Sequence, residues 1–292
     1  MSKNCDSGVN KTVINWYPGH MKKSLEEIQK TFKLVDMTCI ILDARAVISS
    51  LNKNIYELVK TKPIIYIINK RDTVQTTDYS SIKEFVTSKD KVVFCSTVTG
   101  EGILDIIKEI NTLGQEKYQN KNIQNPVYKV MVCGIPNVGK SSIINKLCKN
   151  TSAKVGNKPG VTRTLQWLKV NQNIQMLDTP GLMMPKLEDK LSGTKLAIIG
   201  AINDDILDKE QLCYDFIKII YQNQDNLKLL ENRYSINIQS LEDMVEDKYL
   251  NIIYNIGLKR GCYLKGEVDL NRTCDLILNE YRSGKIGKIS LD

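Results

Sequence analysis

Residues 134–142 read GIPNVGKSS, a match to G-x-x-x-x-G-K-[ST] that directly follows the apolar run YKVMVCG (128–134) and directly precedes the helical pattern of GKSSIINKLCK. No other stretch constrains the fold as much, because it works only where a strand delivers the chain to a turn and a helix carries it away. Gly134 and Gly139 let the backbone wrap a phosphate, so that successive amides and the helix N-terminus face the negative charge. Lys140 is placed to reach the β- and γ-phosphates and the Ser141 hydroxyl to ligate Mg²⁺; Pro136, Asn137, Val138 and Ser142 complete the nucleotide-binding loop. A glycine turn that merely happens to precede Lys-Ser would need neither flank.

Further apolar, β-rich runs lie at MTCIILD (37–43), PIIYIIN (63–69), KVVFCS (91–96) and NIQMLD (173–178). They alternate with helical periodicity around LNKNIYELVK, SSIKEFVTSK and EGILDIIKEI. Strand and helix in alternation predict an α/β fold, a P-loop domain with a parallel-rich sheet covered on both faces and ligands at the carboxyl ends of its strands. GQEKYQNKNIQNP (114–126) reads as a polar linker inside that domain, and KNTSAKVGNKPGVTR (149–163) as a basic loop, mobile without a ligand. Beyond about residue 195 the strand signals fade, and LEDMVEDKYLNIIYNIGL and RTCDLILNEYR suggest a small all-helical domain. The expected division is 1–195 for the nucleotide domain with its N-terminal basic segment, and 196–292 for the helical domain.

Two more motifs complete a nucleotide site. DTPG (178–181) ends an apolar strand; Asp178 is suited to hold Mg²⁺, mostly through water, and the Gly181 amide can approach a γ-phosphate closely. Thr162, in PGVTRT (159–164), could add its hydroxyl to the metal only when the γ-phosphate is present. NKRD (69–72) ends another strand: Asp72 can accept from N1–H and the exocyclic amine of guanine, Asn69 braces the loop, and the Lys70 stem lies along the base. Ser96 and Thr97, in CSTVTG, bring a second loop to the guanine carbonyl. Adenine lacks the donor pair, and an unpaired buried carboxylate costs about 1–3 kcal/mol, enough to select GTP over ATP.

The base-reading pieces precede the phosphate-reading pieces, the reverse of the common GTPase order. The sheet has been cut and rejoined, with the Gln/Asn-rich connector before Asn125 as the new link. In this circularly permuted order the chain leaving DTPG runs into the helical domain, so a γ-phosphate sensor can pull on that domain directly.

Charge adds a partner class. Residues 1–200 carry 29 Lys/Arg against 17 Asp/Glu, and residues 201–292 carry 12 against 16, so a basic lobe of +12 adjoins an acidic one of −4. The basic lobe suits a polyanion such as RNA, although scattered surface lysines give the same count. Eight cysteines with no CxxC pair, and His20 as the one histidine, argue for a reducing compartment and against a His-based metal site. The start of the chain lacks a signal-peptide pattern and no apolar run is long enough to span a bilayer, so an intracellular protein is expected.

NWYPGHM (15–21), DAR (43–45), NKRD, GIPNVGKSS, PGVTR, DTPG and the terminal YRSGKIGKISLD together resemble the circularly permuted GTPases of the YlqF/RbgA ribosome-assembly family, over nearly the whole chain. The lack of a clear transit peptide favours the cytosol over an organelle matrix, and a monomer is expected. The resemblance implies a GTPase that acts late in maturation of the large ribosomal subunit. It would bind the subunit precursor and its rRNA away from membranes, cycle between GTP and GDP with Mg²⁺, and turn over faster on the particle. Leu182 stands where many GTPases place a water-orienting glutamine. The resemblance points instead to His20 as a catalytic residue, beside Lys140, Thr162 and Gly181 at the γ-phosphate, and to Asn137 as a K⁺ ligand. His20 follows Tyr17-Pro18-Gly19 at a helix start, where it could equally pack or cap. The chain departs from the family in AVISS after DAR, where an Ile-Pro pair is usual, and in Ser-Thr for the usual Ser-Ala. A P-loop kinase would leave NKRD without a role, whereas a guanine-nucleotide-binding RNA scaffold with little intrinsic hydrolysis is the alternative that Leu182 leaves open.

Overall fold

The computed structural model describes residues 19–121, 123–150, 165–183, 189–204, 207–242 and 247–292. Six strands form one sheet: β1 (Met37–Asp43), β2 (Ile64–Asn69), β3 (Lys91–Phe94), β4 (Tyr128–Cys133), β5 (Gln166–Lys169) and β6 (Ile174–Asp178). Their order is β3-β2-β1-β4-β6-β5, parallel throughout except for β5. Every residue of β1 and β2 is buried, which explains why these central strands read as unbroken apolar runs rather than alternating ones.

The pleat nonetheless sends alternate side chains to opposite faces. Cys39 and Ile41 join a cluster with Ile106 and Ile110 of α4 (Ile103–Tyr118) and Ile143 and Leu147 of α5 (Lys140–Asn150). Ile40 and Leu42 join another with Ile28 of α1 (Gly19–Phe32), Leu51 after α2 (Val47–Ser50), and Ile55 of α3 (Lys53–Val59). The first cluster continues without a break into the C-terminal helices, taking in Phe216 and Ile220 of α7 (Lys209–Tyr221) and Tyr281 of α11 (Leu270–Arg282).

Two local expectations need correction, and one strand was not expected. SSIKEFVTSK forms only a 3-10 turn, Ser80–Phe85, because Ile82 is its one buried residue and a single anchor cannot hold a longer helix. The segment read as a linker from 114 is helical to Tyr118; Gly114 sits against the Tyr128 ring, where a Cβ would come within 2.6 Å, so this glycine marks a close approach rather than a break. The edge strand β5 was unforeseen, since its residues are mostly exposed and its extended form comes from antiparallel pairing with β6.

The division expected at 195/196 falls inside α6 (Lys190–Ile198), which is followed by α7, α8 (Gln224–Tyr234), α9 (Gln239–Glu242), α10 (Lys248–Arg260) and α11. A two-residue hairpin, β7 (Tyr263–Leu264) with β8 (Glu267–Val268), joins the last two helices. Asp189, Asp208, Asn223, Asp247 and Asp269 cap α6, α7, α8, α10 and α11, each side chain accepting from backbone N–H groups of the first turn. Part of the acidic excess of this region therefore serves helix N-termini. Among the described residues no helix is long and apolar enough to cross a membrane.

Candidate functional site

Strand register brings the two loops together. The β1–β2 pairing sets Asp43 beside Asn69, and the β1–β4 pairing sets Ile40 beside Cys133, so NKRD and GIPNVGKSS leave the sheet at neighbouring carboxyl ends. Asn69 spans the gap: its Nδ2 donates to the Val138 carbonyl at 2.8 Å while its Oδ1 accepts from the Thr97 N–H at 3.3 Å. One side-chain amide thus fastens the phosphate loop to both base-reading loops. A Cβ at Gly139 would lie 2.3 Å from Asn69 Nδ2, and its φ is +100°, so the contact requires glycine there.

On the base side, Asp72 lies in a 3-10 turn, Arg71–Thr73, and its Oδ1 is buried with no hydrogen-bond partner among the described residues. A buried oxygen in this condition is costly, and the donor pair of guanine has the chemistry to satisfy it. Ser96 is buried and its Oγ accepts from the N–H groups of Val98 and Thr99, both at 3.1 Å. The Arg71 N–H donates to the Cys95 carbonyl at 3.0 Å, closing the second loop against the first. Lys70 has a left-handed backbone, φ 65°, and its Nζ pairs with Asp43 Oδ2 at 2.8 Å.

On the phosphate side, Lys140 is buried, and its Nζ donates to the carbonyls of Gly134 at 3.1 Å and Ile135 at 2.8 Å. Burial pushes this ammonium down to about 8, with Asp178 and Cys133 pulling the other way. Ser141 Oγ donates to Asp178 Oδ2 at 3.3 Å, so the two side chains with the chemistry to hold Mg²⁺ stand in contact. Gly181 lies directly on the phosphate loop: a Cβ there would be 2.8 Å from Pro136 Cα and 3.0 Å from Lys140 Nζ. Asn137 adopts a φ of 61° and its Nδ2 donates to the Gly200 carbonyl at 2.8 Å. Ser142 is exposed in the first turn of α5. Thr162 lies outside the described residues, as does the side chain of His20, whose backbone is in the first turn of α1.

Leu182 is 1% exposed and packs into the second sheet cluster. Its N–H donates to the Gly134 carbonyl at 3.2 Å and its carbonyl accepts from Asn52 Nδ2 at 3.0 Å. Asn52 also caps α3, a double role that nothing in its sequence context announced. Sequence reading took DAR only as a family mark. In the structure burial opposes charge on Asp43, but Arg45 and Lys70 override it and hold the carboxyl down at about 2. An acid and a base at the end of a largely apolar strand was the available signal.

The family described as 50S ribosome-binding GTPase matches residues 129–255. Ribosome biogenesis GTPase A of Bacillus cereus is 36% identical over 288 residues, covering 96% of this chain and 94% of its own. The mitochondrial ribosome-associated GTPase 1 of Mus musculus is 30% identical, covering 96% and 90%. Among solved structures, GNP-bound YlqF from T. maritima aligns over 92% of this chain and 97% of its own, with a TM-score of 0.56 and 22% identity, a likeness of fold.

Proposed function

The chain belongs to the ribosome biogenesis GTPase A family, and on that premise we propose that it hydrolyses GTP slowly alone and faster on a precursor of the large ribosomal subunit. The observation that carries this reading is the Asn69 bridge, which makes one site of a base-reading turn and a phosphate loop that lie far apart in sequence. Asp72 accepts from the guanine edge, Lys140 swings from its carbonyl contacts to the phosphates, and Ser141 with Asp178 would hold Mg²⁺, which would supply charge neutralisation at the phosphates. Asn137 would serve as a K⁺ ligand, and Thr162 and Gly181 attend the γ-phosphate.

Leu182 is sealed in the core and cannot position water, so a group from elsewhere must, with His20 as the candidate. Slow turnover without the particle follows from that arrangement. The basic lobe supplies the rRNA contact together with the RSGKIGK stretch, and residues 196–292 act as the ribosome-facing helical domain; we place the protein in the cytoplasm as a monomer. Leu182 is also the observation that favours the second reading, a guanine-nucleotide-binding RNA scaffold with little hydrolysis.

The deciding experiment is GTP hydrolysis by the purified protein in potassium buffer, with and without large ribosomal subunits. Strong stimulation is expected. Tight GTP binding with equal, negligible rates in both arms would transfer support to the scaffold.

A further inference from the structure

The carboxyl end of α6 is a meeting point. Arg282 donates to the carbonyls of Ala197 at 2.8 Å and Ile198 at 2.9 Å, Arg45 to Ile199 at 3.1 Å, and Asn137 to Gly200 at 2.8 Å. Four successive helix-end carbonyls are thus taken by side chains from three other parts of the chain. Two of those side chains come from opposite halves of the nucleotide site, Asn137 from the phosphate loop and Arg45 from the end of the strand beside the base-reading turn.

Arg45 is 1% exposed and its guanidinium is clasped from several sides. Nε donates to Asp43 Oδ1 at 2.9 Å, Nη2 to Asp43 Oδ2 at 2.7 Å, and Nη1 to the Arg282 carbonyl at 3.3 Å, with the Tyr281 ring centroid 5.6 Å away. Its own carbonyl accepts from the Leu291 N–H at 2.7 Å. Asp43 Oδ2, the oxygen that takes Arg45 Nη2, also takes Lys70 Nζ at 2.8 Å, so a chain of contacts runs from the helical region through Arg45 and Asp43 to the residue two before Asp72. A planar, bidentate fork can hold both carboxylate oxygens and two carbonyls at once, which a lysine cannot.

We propose that Arg45 is a positioning residue for guanine selection: anchored on the Ile199 and Arg282 carbonyls, it fixes Asp43, and through Asp43 and Lys70 it holds the Asp72 turn where it reads the base. The proposal rests on the assignment of Asn69–Asp72 to the base made above. Base discrimination and docking of the helical region are then coupled, each strengthening the other.

The test compares binding of GTP and ITP to Arg45→Lys and the unaltered protein. ITP lacks the exocyclic amine, so the affinity ratio reads the placement of the Asp72 carboxylate while the triphosphate cancels. In the variant the preference for GTP over ITP should fall roughly tenfold, with ITP, which keeps N1–H, weakened less than GTP. Equal weakening of both nucleotides would overturn the proposal and leave Arg45 as a staple of the fold. Should that variant not fold, Lys70→Met reads the same effect from the other end, and an unchanged ratio there is equally fatal. Asp72→Asn separates the two layers: preference should move from GTP toward XTP, and unchanged GTP selection would remove the base assignment itself.

Discussion

Lys140 is where burial and function pull hardest on one side chain. Its ammonium, pushed down to about 8 by burial, must be charged to bind phosphates, and bound phosphates raise its proton affinity again. Below about pH 8 the proton is already present and GTP affinity is flat. Above it, binding must take up a proton, so affinity declines as pH rises, by at most tenfold per unit. Titration calorimetry from pH 7.0 to 8.8, in buffers of different ionisation enthalpy, should show proton uptake growing across that window. A flat affinity with no uptake would mean that Lys140 stays fully charged in the free protein.

At the scale of elements, α6 carries the most consequence for its nine residues. It begins on the Asp189 cap and ends in carbonyls held by distant side chains, so its position is set by tertiary contacts rather than by its own sequence. Arg282 contributes two of these contacts and also pairs with Asp204, Nη1 to Oδ2 at 2.6 Å and Nη2 to Oδ1 at 2.9 Å. Arg282→Gln should therefore lower stability by about 2–3 kcal/mol, read as a shift in the urea midpoint. This is also the limit of what sequence could reveal. β1, β2, β4 and β6 were legible because strands buried along all or nearly all of their length write themselves as largely apolar runs, and the phosphate loop, DTPG and NKRD because their spacing is fixed by a ligand's geometry. The Arg45 fork, the Asn52 bridge and the Gly114 contact were not, since each depends on a partner 14 to 237 positions away.

In the whole molecule, one apolar cluster runs from the sheet through α4 and α5 into α7 and α11, and the polar contacts of Arg45 and Asn137 cross the same junction. Among the described residues no thin neck separates the sheet from the C-terminal helices. Urea unfolding should accordingly be a single transition, coincident by far-ultraviolet circular dichroism and by fluorescence of the two tryptophans, Trp16 and Trp167. Two resolved transitions would mean that the helical region melts alone.

The sheet order has a consequence for how the protein is made. β1 is buried along its full length and lies between β2 and β4. During translation β2 follows soon after, but β4 begins at Tyr128, about 85 residues beyond Asp43. At 5–20 residues per second that is roughly 4–17 s in which the nascent N-terminal half carries an apolar strand with one edge unpaired, open to any neighbouring chain that offers a strand. Permutation keeps the finished site intact and moves its hazard into the interval of synthesis.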